Sequence, residues 1–255
     1  MSFRAICCVF ALSAGAAAFS ELPKNAREDH EYHLVNVKWD LSFDFDKGSI
    51  VGDVTNTVVP TKDGATLLFD CPKLKIESAD VNGEAAKTET NGRVLRVIPA
   101  SGDVSGRKLD VHIHYSGLPE AGIYFVPADR AFPAHTDIVY TQGEMEDNRY
   151  WLPTYDDPDD KATFESFIHV PAGWKALSNG KLIDVTHSGS SDVWHWKLDK
   201  PASTYLISMV AGPYDEVVDG HDPVPVSYWV PEGLDAMGKE AFGGTDKVVQ
   251  FYGKL

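Results

Sequence analysis

Val35–Phe45 reads VNVKWDLSFDF, and its two-residue rhythm decides the fold class. Val35, Val37, Trp39, Leu41, Phe43 and Phe45 alternate with Asn36, Lys38, Asp40, Ser42 and Asp44. Successive side chains of a strand point to opposite faces, so this spacing gathers the bulky apolar groups on one side and the polar groups on the other. The segment is therefore predicted to be a half-buried strand of an antiparallel sheet. Asp46-Lys47-Gly48 supplies a turn, and Ile50, Gly52, Val54, Asn56 and Val58 mark the returning partner of a hairpin.

The same signal recurs outward from this hairpin. Strands are expected at Thr66–Phe69, Leu74–Val81, Arg93–Pro99 and Leu109–Ser116, with Asn82-Gly83 as a tight hairpin turn and Leu109, Val111, Ile113 and Tyr115 facing inward. Further strands are expected at Thr163–Val170, Ala176–Asn179, Lys181–Thr186, Val193–Leu198, Thr204–Ala211 and Val224–Val230. Short strands with turn signals between them describe an all-β fold, an antiparallel sandwich or saddle. After Gly233 the spacing turns helical, through Leu234, Met237 and Ala241. Gly243-Gly244 breaks it, and Thr245 is placed to cap a helix from Asp246. About ten residues of helix are too few to stand alone in water. The expected organisation is thus a leader at 1–20, a polar linker at 21–31, a β domain at 32–232, and the truncated start of a further domain at 233–255.

A chain of 255 residues with 43% hydrophobic and 24% charged residues can bury a sizeable core. Its 38 acids against 23 bases give a net charge of −15. With no Lys/Arg cluster, that balance argues against nucleic acid and anionic membrane surfaces as partners. Arg4, the apolar run Ala5–Leu12 and Ala16-Ala17-Ala18 have the order of an export signal, so a periplasmic or secreted location is expected, with no membrane association beyond the signal. Cys7 and Cys8 would leave with the leader. Cys71 would then remain alone, without an internal disulfide.

Tyr140–Glu165 reads YTQGEMEDNRYWLPTYDDPDDKATFE and holds eight carboxylates, Glu144, Glu146, Asp147, Asp156, Asp157, Asp159, Asp160 and Glu165. Such density calls for a cation or for plain solvation. The order Thr141-Gln142-x-Glu144, Arg149, Pro153, Asp156, Pro158 and Lys161-Ala162-Thr163-Phe164 resembles the aminopeptidase N family of zinc metallopeptidases, the gluzincins. Gly122-Ile123-Tyr124, Leu177-Ser178-Asn179-Gly180 and Pro201-Ala202-Ser203-Thr204-Tyr205-Leu206 extend the resemblance over roughly residues 30 to 255. Leu152-Pro153-Thr154 departs from it, since many relatives carry an aromatic and a Cys there. The resemblance implies a β-saddle domain ahead of a thermolysin-like, partly α-helical catalytic domain. It also implies that Gln142 and Glu144 bind the free α-amine of a peptide, so the partners would be peptide N-termini and the missing C-terminal catalytic domain. An α-amino group, with pKa about 7.7–8.0, is largely cationic at neutral pH and donates charge-assisted hydrogen bonds to such a pair. Arg149, Asp156 and Lys161 read as an ion-pair scaffold for the loop.

The family's zinc requires two His four apart on a helix with Glu after the first. Among His30, His33, His112, His114, His135, His169, His187, His195 and His221 no pair has that spacing. Gly143-Glu144-Met145-Glu146-Asp147 only superficially resembles the family's Gly-x-Met-Glu-Asn exopeptidase motif. No catalytic residue and no zinc ligand is therefore assigned within this chain; zinc belongs to the full-length protein that the resemblance implies. His112 and His114, on the outward face of one strand, form at most a metal half-site, and Asp156–Asp160 lacks the Gly and spaced oxygens of a calcium loop. The alternative to an aminopeptidase piece is a secreted, non-catalytic β-sandwich module that binds a peptide or partner protein.

Overall fold

The computed structural model describes residues 22–129, 136–220 and 224–254; the expected leader, His135 and His221 lie outside them. The first half of the chain contributes β1 (Tyr32–Asp44), β2 (Ser49–Pro60), β3 (Leu67–Asp70), β4 (Lys75–Val81), β5 (Glu84–Ala85), β6 (Lys87–Thr90), β7 (Val94–Ile98) and β8 (Leu109–Gly117). The second half contributes β9 (Ile123–Val126), β10 (Ile138–Thr141), β11 (Lys161–Pro171), β12 (Lys175–Ser178), β13 (Lys181–Ser188), β14 (Ser191–Ser203), β15 (Met209–Gly212), β16 (Tyr214–Gly220) and β17 (Val226–Pro231). An eight-stranded sheet runs β13-β14-β11-β1-β2-β8-β4-β5, beside a four-stranded sheet β12-β15-β10-β9, a three-stranded sheet β3-β7-β6 and the hairpin β16-β17.

The alternation in β1 shapes the core. Val37, Trp39 and Leu41 are buried, as are Asn56 and Val54 opposite the first two on β2, and Ile50 and Val58 of the same strand. Val35 is the exception. A β-bulge between Leu34 and Asn36 shifts the register, so Tyr32 and Leu34 face inward instead and Val35 is only half-buried. Trp39 meets Trp151 edge-on, with ring centroids 5.3 Å apart, and this contact ties the large sheet to the acidic loop. The expected antiparallel pairing holds except in one ladder: β1 and β11 run parallel, Asn36 beside Thr163 through Leu41 beside Ile168. A parallel neighbour demands a long crossover, which the strands between them provide.

Residues 22–31, expected to be a linker, lie against the fold. Ala26 is buried, its amide donates to Asp70 Oδ1 at 2.9 Å, and His30 stacks on Tyr155 at 3.7 Å between centroids. Thr204–Leu206, expected as strand, is a turn of 3₁₀ helix. At the C-terminal end, α1 (Asp235–Phe242) packs on the β16–β17 hairpin and α2 (Thr245–Tyr252) follows. Thr245 does not cap α2: its hydroxyl donates back to the Phe242 carbonyl at 2.6 Å. The amides of Gly244 and Asp246 are met instead by the Asp219 carboxylate, each at 3.1 Å. No helix among the described residues is long and apolar enough to cross a membrane.

Candidate amine-binding site

The site grows from the end of β10, an inner strand of the four-stranded sheet. The Met209 amide donates to Thr141 Oγ1 at 2.8 Å, fixing the strand end to β15. The Gln142 amide then donates to the Gly122 carbonyl at 2.9 Å, and the Asp147 amide to the Gly143 carbonyl at 2.9 Å, closing a tight turn around Glu144. Only glycine fits at two points of this turn. A Cβ on Gly143 would lie 2.5 Å from Asn148 Nδ2 and 2.6 Å from the Tyr205 carbonyl. Gly122 has φ +79°, and a Cβ there would lie 2.0 Å from the Asp147 carbonyl. The Glu144–Met145 peptide bond is cis.

Gln142 and Glu144 both reach the surface. Gln142 Oε1 accepts the Glu144 amide at 3.3 Å, which draws the two residues together. Among the described residues, no hydrogen-bond or ion-pair partner holds the Glu144 carboxylate. An exposed carboxylate and an amide oxygen on one rigid turn are acceptors, suited to a compact cation with several N–H donors. Beside them a cavity of about 230 Å³ is lined by Tyr140, Thr141, Leu177, Ser178, Ser208, Met209 and Val210. Tyr140 stacks on Tyr124 at its rim, with centroids 5.2 Å apart.

The other acids of the segment are not a solvated cluster. Asp156 and Asp157 are buried. Asp156 accepts the Arg149 amide at 3.0 Å and the Thr204 hydroxyl at 3.2 Å, while Arg149 Nη2 donates to the Asp156 carbonyl at 2.5 Å. Arg149 also pairs with Glu146 at 2.9 Å and lies 3.7 Å from Asp70. Asp157 pairs with Arg27 at 3.2 Å, Asp159 accepts the Tyr155 hydroxyl at 2.9 Å, and Asp160 accepts the Leu34 amide at 2.7 Å. Asp156, Asp157 and Asp160 are thus turned toward the protein and hold chain segments together. Burial pushes the Asp156 carboxyl up to about 6, although the Arg149 amide and guanidinium pull the other way. Burial raises Asp70 as well, against the same guanidinium. The expected scaffold of Arg149 and Asp156 is present, but Lys161 is exposed and takes no part in it.

Sequence reasoning passed over Asn148, which is fully buried behind the turn. Its Nδ2 donates to the Thr204 and Ile207 carbonyls at 2.7 and 2.9 Å, and its Oδ1 accepts Trp151 Nε1 at 2.8 Å. The signal available was a neutral amide inside an otherwise charged run, bracketed by Glu146 and Arg149. Among the described residues no group of three or more His, Cys, Asp or Glu is arranged as it stands to enclose a metal ion.

The model of the peptidase M1 N-terminal domain matches residues 28–206. Probable aminopeptidase 1 of Sulfurisphaera tokodaii is 26% identical over 226 residues, covering 87% of this chain and 27% of that protein. Aminopeptidase N of Acetobacter pasteurianus is 25% identical over 233 residues, covering 79% of this chain and 66% of that protein. The fold also matches an M1 zinc metallopeptidase of Deinococcus radiodurans solved with a Tyr-Ser-Ala substrate, with a TM-score of 0.66 at 20% identity. That match covers 82% of this chain and 52% of the other. The chain therefore spans less than two thirds of the length of each of these proteins.

Proposed function

This chain belongs to the peptidase M1 N-terminal domain family, and on that premise we propose that it presents Gln142 and Glu144 to the free α-ammonium of peptide substrates within an exported zinc aminopeptidase. The observation that carries this reading is the exposed Glu144 carboxylate, unpartnered among the described residues, beside the Gln142 amide oxygen on a turn held at both ends. A terminal ammonium offers three N–H donors and a charge, and the pair offers matching acceptors. A clamp of this kind measures from the end of a peptide, because an internal peptide nitrogen carries neither the charge nor the extra hydrogens. Binding energy placed there orients the first peptide bond for a reaction carried out elsewhere. The zinc and its general base would come from residues outside this chain, and no hydrolytic step is assigned to the residues described. Export rests on the order of charged, apolar and small residues in the first twenty positions.

The test uses the full-length protein and an aminoacyl chromogenic substrate. Gln142→Ala and Glu144→Ala are each expected to lower kcat/KM roughly tenfold to a hundredfold, the range for losing a hydrogen bond to a charged group. Unchanged kcat/KM in both variants would rule out the clamp.

A further inference from the structure

The outer face of the eight-stranded sheet carries two histidines that the proposed function does not use. His112 and His114 stand two residues apart on β8, so their rings leave the same face. The ladder sets His114 beside Asp53 of β2 and His112 beside Asp80 of β4. The side chains then converge. His112 Nε2 lies 2.9 Å from Asp53 Oδ1, and His114 Nδ1 lies 3.0 Å from the same oxygen. On its other side, His112 Nδ1 lies 2.9 Å from Asp80 Oδ2.

A neutral imidazole has one N–H and one lone pair. Neutral His112 can therefore donate to only one of its two carboxylates, and its second nitrogen faces an oxygen lone pair. A second ring proton removes that repulsion, and so does a metal ion on the nitrogen that lacks a hydrogen. If Nδ1 carries the hydrogen and donates it to Asp80, the Nε2 lone pair is left facing Asp53 for a metal ion, which is how an outer carboxylate orients a metal-binding histidine. Both ring nitrogens thus converge on one point, the place held by Asp53 Oδ1, from 2.9 and 3.0 Å.

We infer that Asp53, His112 and His114 form a site for a divalent transition-metal ion, with Asp80 orienting His112 from behind. In the ion-free arrangement these donors do not enclose a metal, because Asp53 Oδ1 is itself the hydrogen-bond partner of both rings. Asp53 is 44% exposed, so its carboxylate turns aside without disturbing the core and becomes the third ligand. Water completes the shell. Two imidazoles and one carboxylate bind copper(II) most tightly, with nickel(II) and zinc(II) behind it, and they suit calcium or magnesium poorly.

Copper(II) titrated into the 255-residue chain, followed by calorimetry and electron paramagnetic resonance, tests the site. One equivalent should bind with hyperfine splitting from two nitrogens. The double variant His112→Asn with His114→Asn should lose that equivalent, and Asp80→Asn should weaken it about tenfold or more. His169→Asn, whose ring pairs with Asp40 on the same sheet, should leave it unchanged. Equal copper binding by wild type and double variant, unchanged affinity in Asp80→Asn, or equal loss in His169→Asn would each overturn the assignment. If the double variant fails to fold by circular dichroism, His114→Asn alone disturbs a single contact. It must still remove one nitrogen from the spectrum, and an unchanged spectrum overturns the assignment.

Discussion

Asn148 uses its whole side chain: both amide hydrogens go to the carbonyls of Thr204 and Ile207, and the amide oxygen takes the Trp151 indole. Gln142 and Glu144 stand at the surface because this residue, six and four positions along, closes the loop from beneath. Asn148→Ala removes three hydrogen bonds and deprives the buried Ile207 carbonyl and the Trp151 indole N–H of their partner, while the Thr204 carbonyl keeps the Ile207 amide. Backbone movement recovers part of that loss, so a destabilisation of about 2–4 kcal/mol is expected in chemical denaturation. In the full-length protein the same variant should raise KM for free-amine substrates, because the turn from Gly143 to Asp147 would no longer be pinned. Stability within about 0.5 kcal/mol of wild type would show that the amide is not the anchor its geometry implies.

Between neighbouring strands, Gly52 of β2 sits opposite Tyr115 of β8, and the buried tyrosine ring lies across the space a side chain would fill. A Cβ on Gly52 would stand 2.6 Å from both Cζ and the hydroxyl oxygen of Tyr115. The ring is fully enclosed and cannot swing away, so Gly52→Ala is expected to cost about 1–3 kcal/mol as overpacking, read as a lowered midpoint of unfolding. Gly52→Ala together with Tyr115→Phe should recover part of this by removing the nearest oxygen. These strands were legible from sequence because each is half-buried, and a face alternating between core and solvent prints its period on the residues. Val35 misled, because a bulge adds one residue to the count and no residue type announces it. The short strands β6, β9, β10 and β16 were not legible; four to seven residues of mixed burial show no clear rhythm. For the proposed site, Gln142 and Glu144 were singled out through a resemblance and not through their chemistry. The buried roles of Asp70, Asp156 and Asn148 depend on contacts to Ala26, Arg149 and Thr204, which composition does not reveal.

Across the whole molecule, the acidic segment acts as a joint. Asp70 ends β3 and receives the Ala26 amide from the N-terminal segment, Asp156 holds Arg149, and Thr204 brings in the segment that follows β14. All these pieces pack into one continuous core, so a change of protonation at the joint is felt by the fold as a whole. Asp156 is raised to about 6 by burial, whereas an unfolded Asp ionises near 3.9. Between about pH 4 and pH 6 the native state therefore binds more protons at this residue than the unfolded state does. Stability then falls as pH rises through that window and levels off above it. Asp70, also raised by burial, acts in the same sense, and so does His169, raised by its hydrogen bond to Asp40. Asp192, held low by His187 and the Gly173 amide, acts in the opposite sense, contributing stability above the usual carboxylate range that is lost on acidification. A single pH profile mixes these contributions, and comparison with Asp156→Asn separates one of them. The stability of wild type relative to this variant should decline by on the order of 2–3 kcal/mol between pH 4 and pH 7 in urea denaturation, with most of the change below pH 6.5. A difference that stays flat across that range, or that grows with pH, would mean that Arg149 compensates the buried charge and that the joint is ionised throughout.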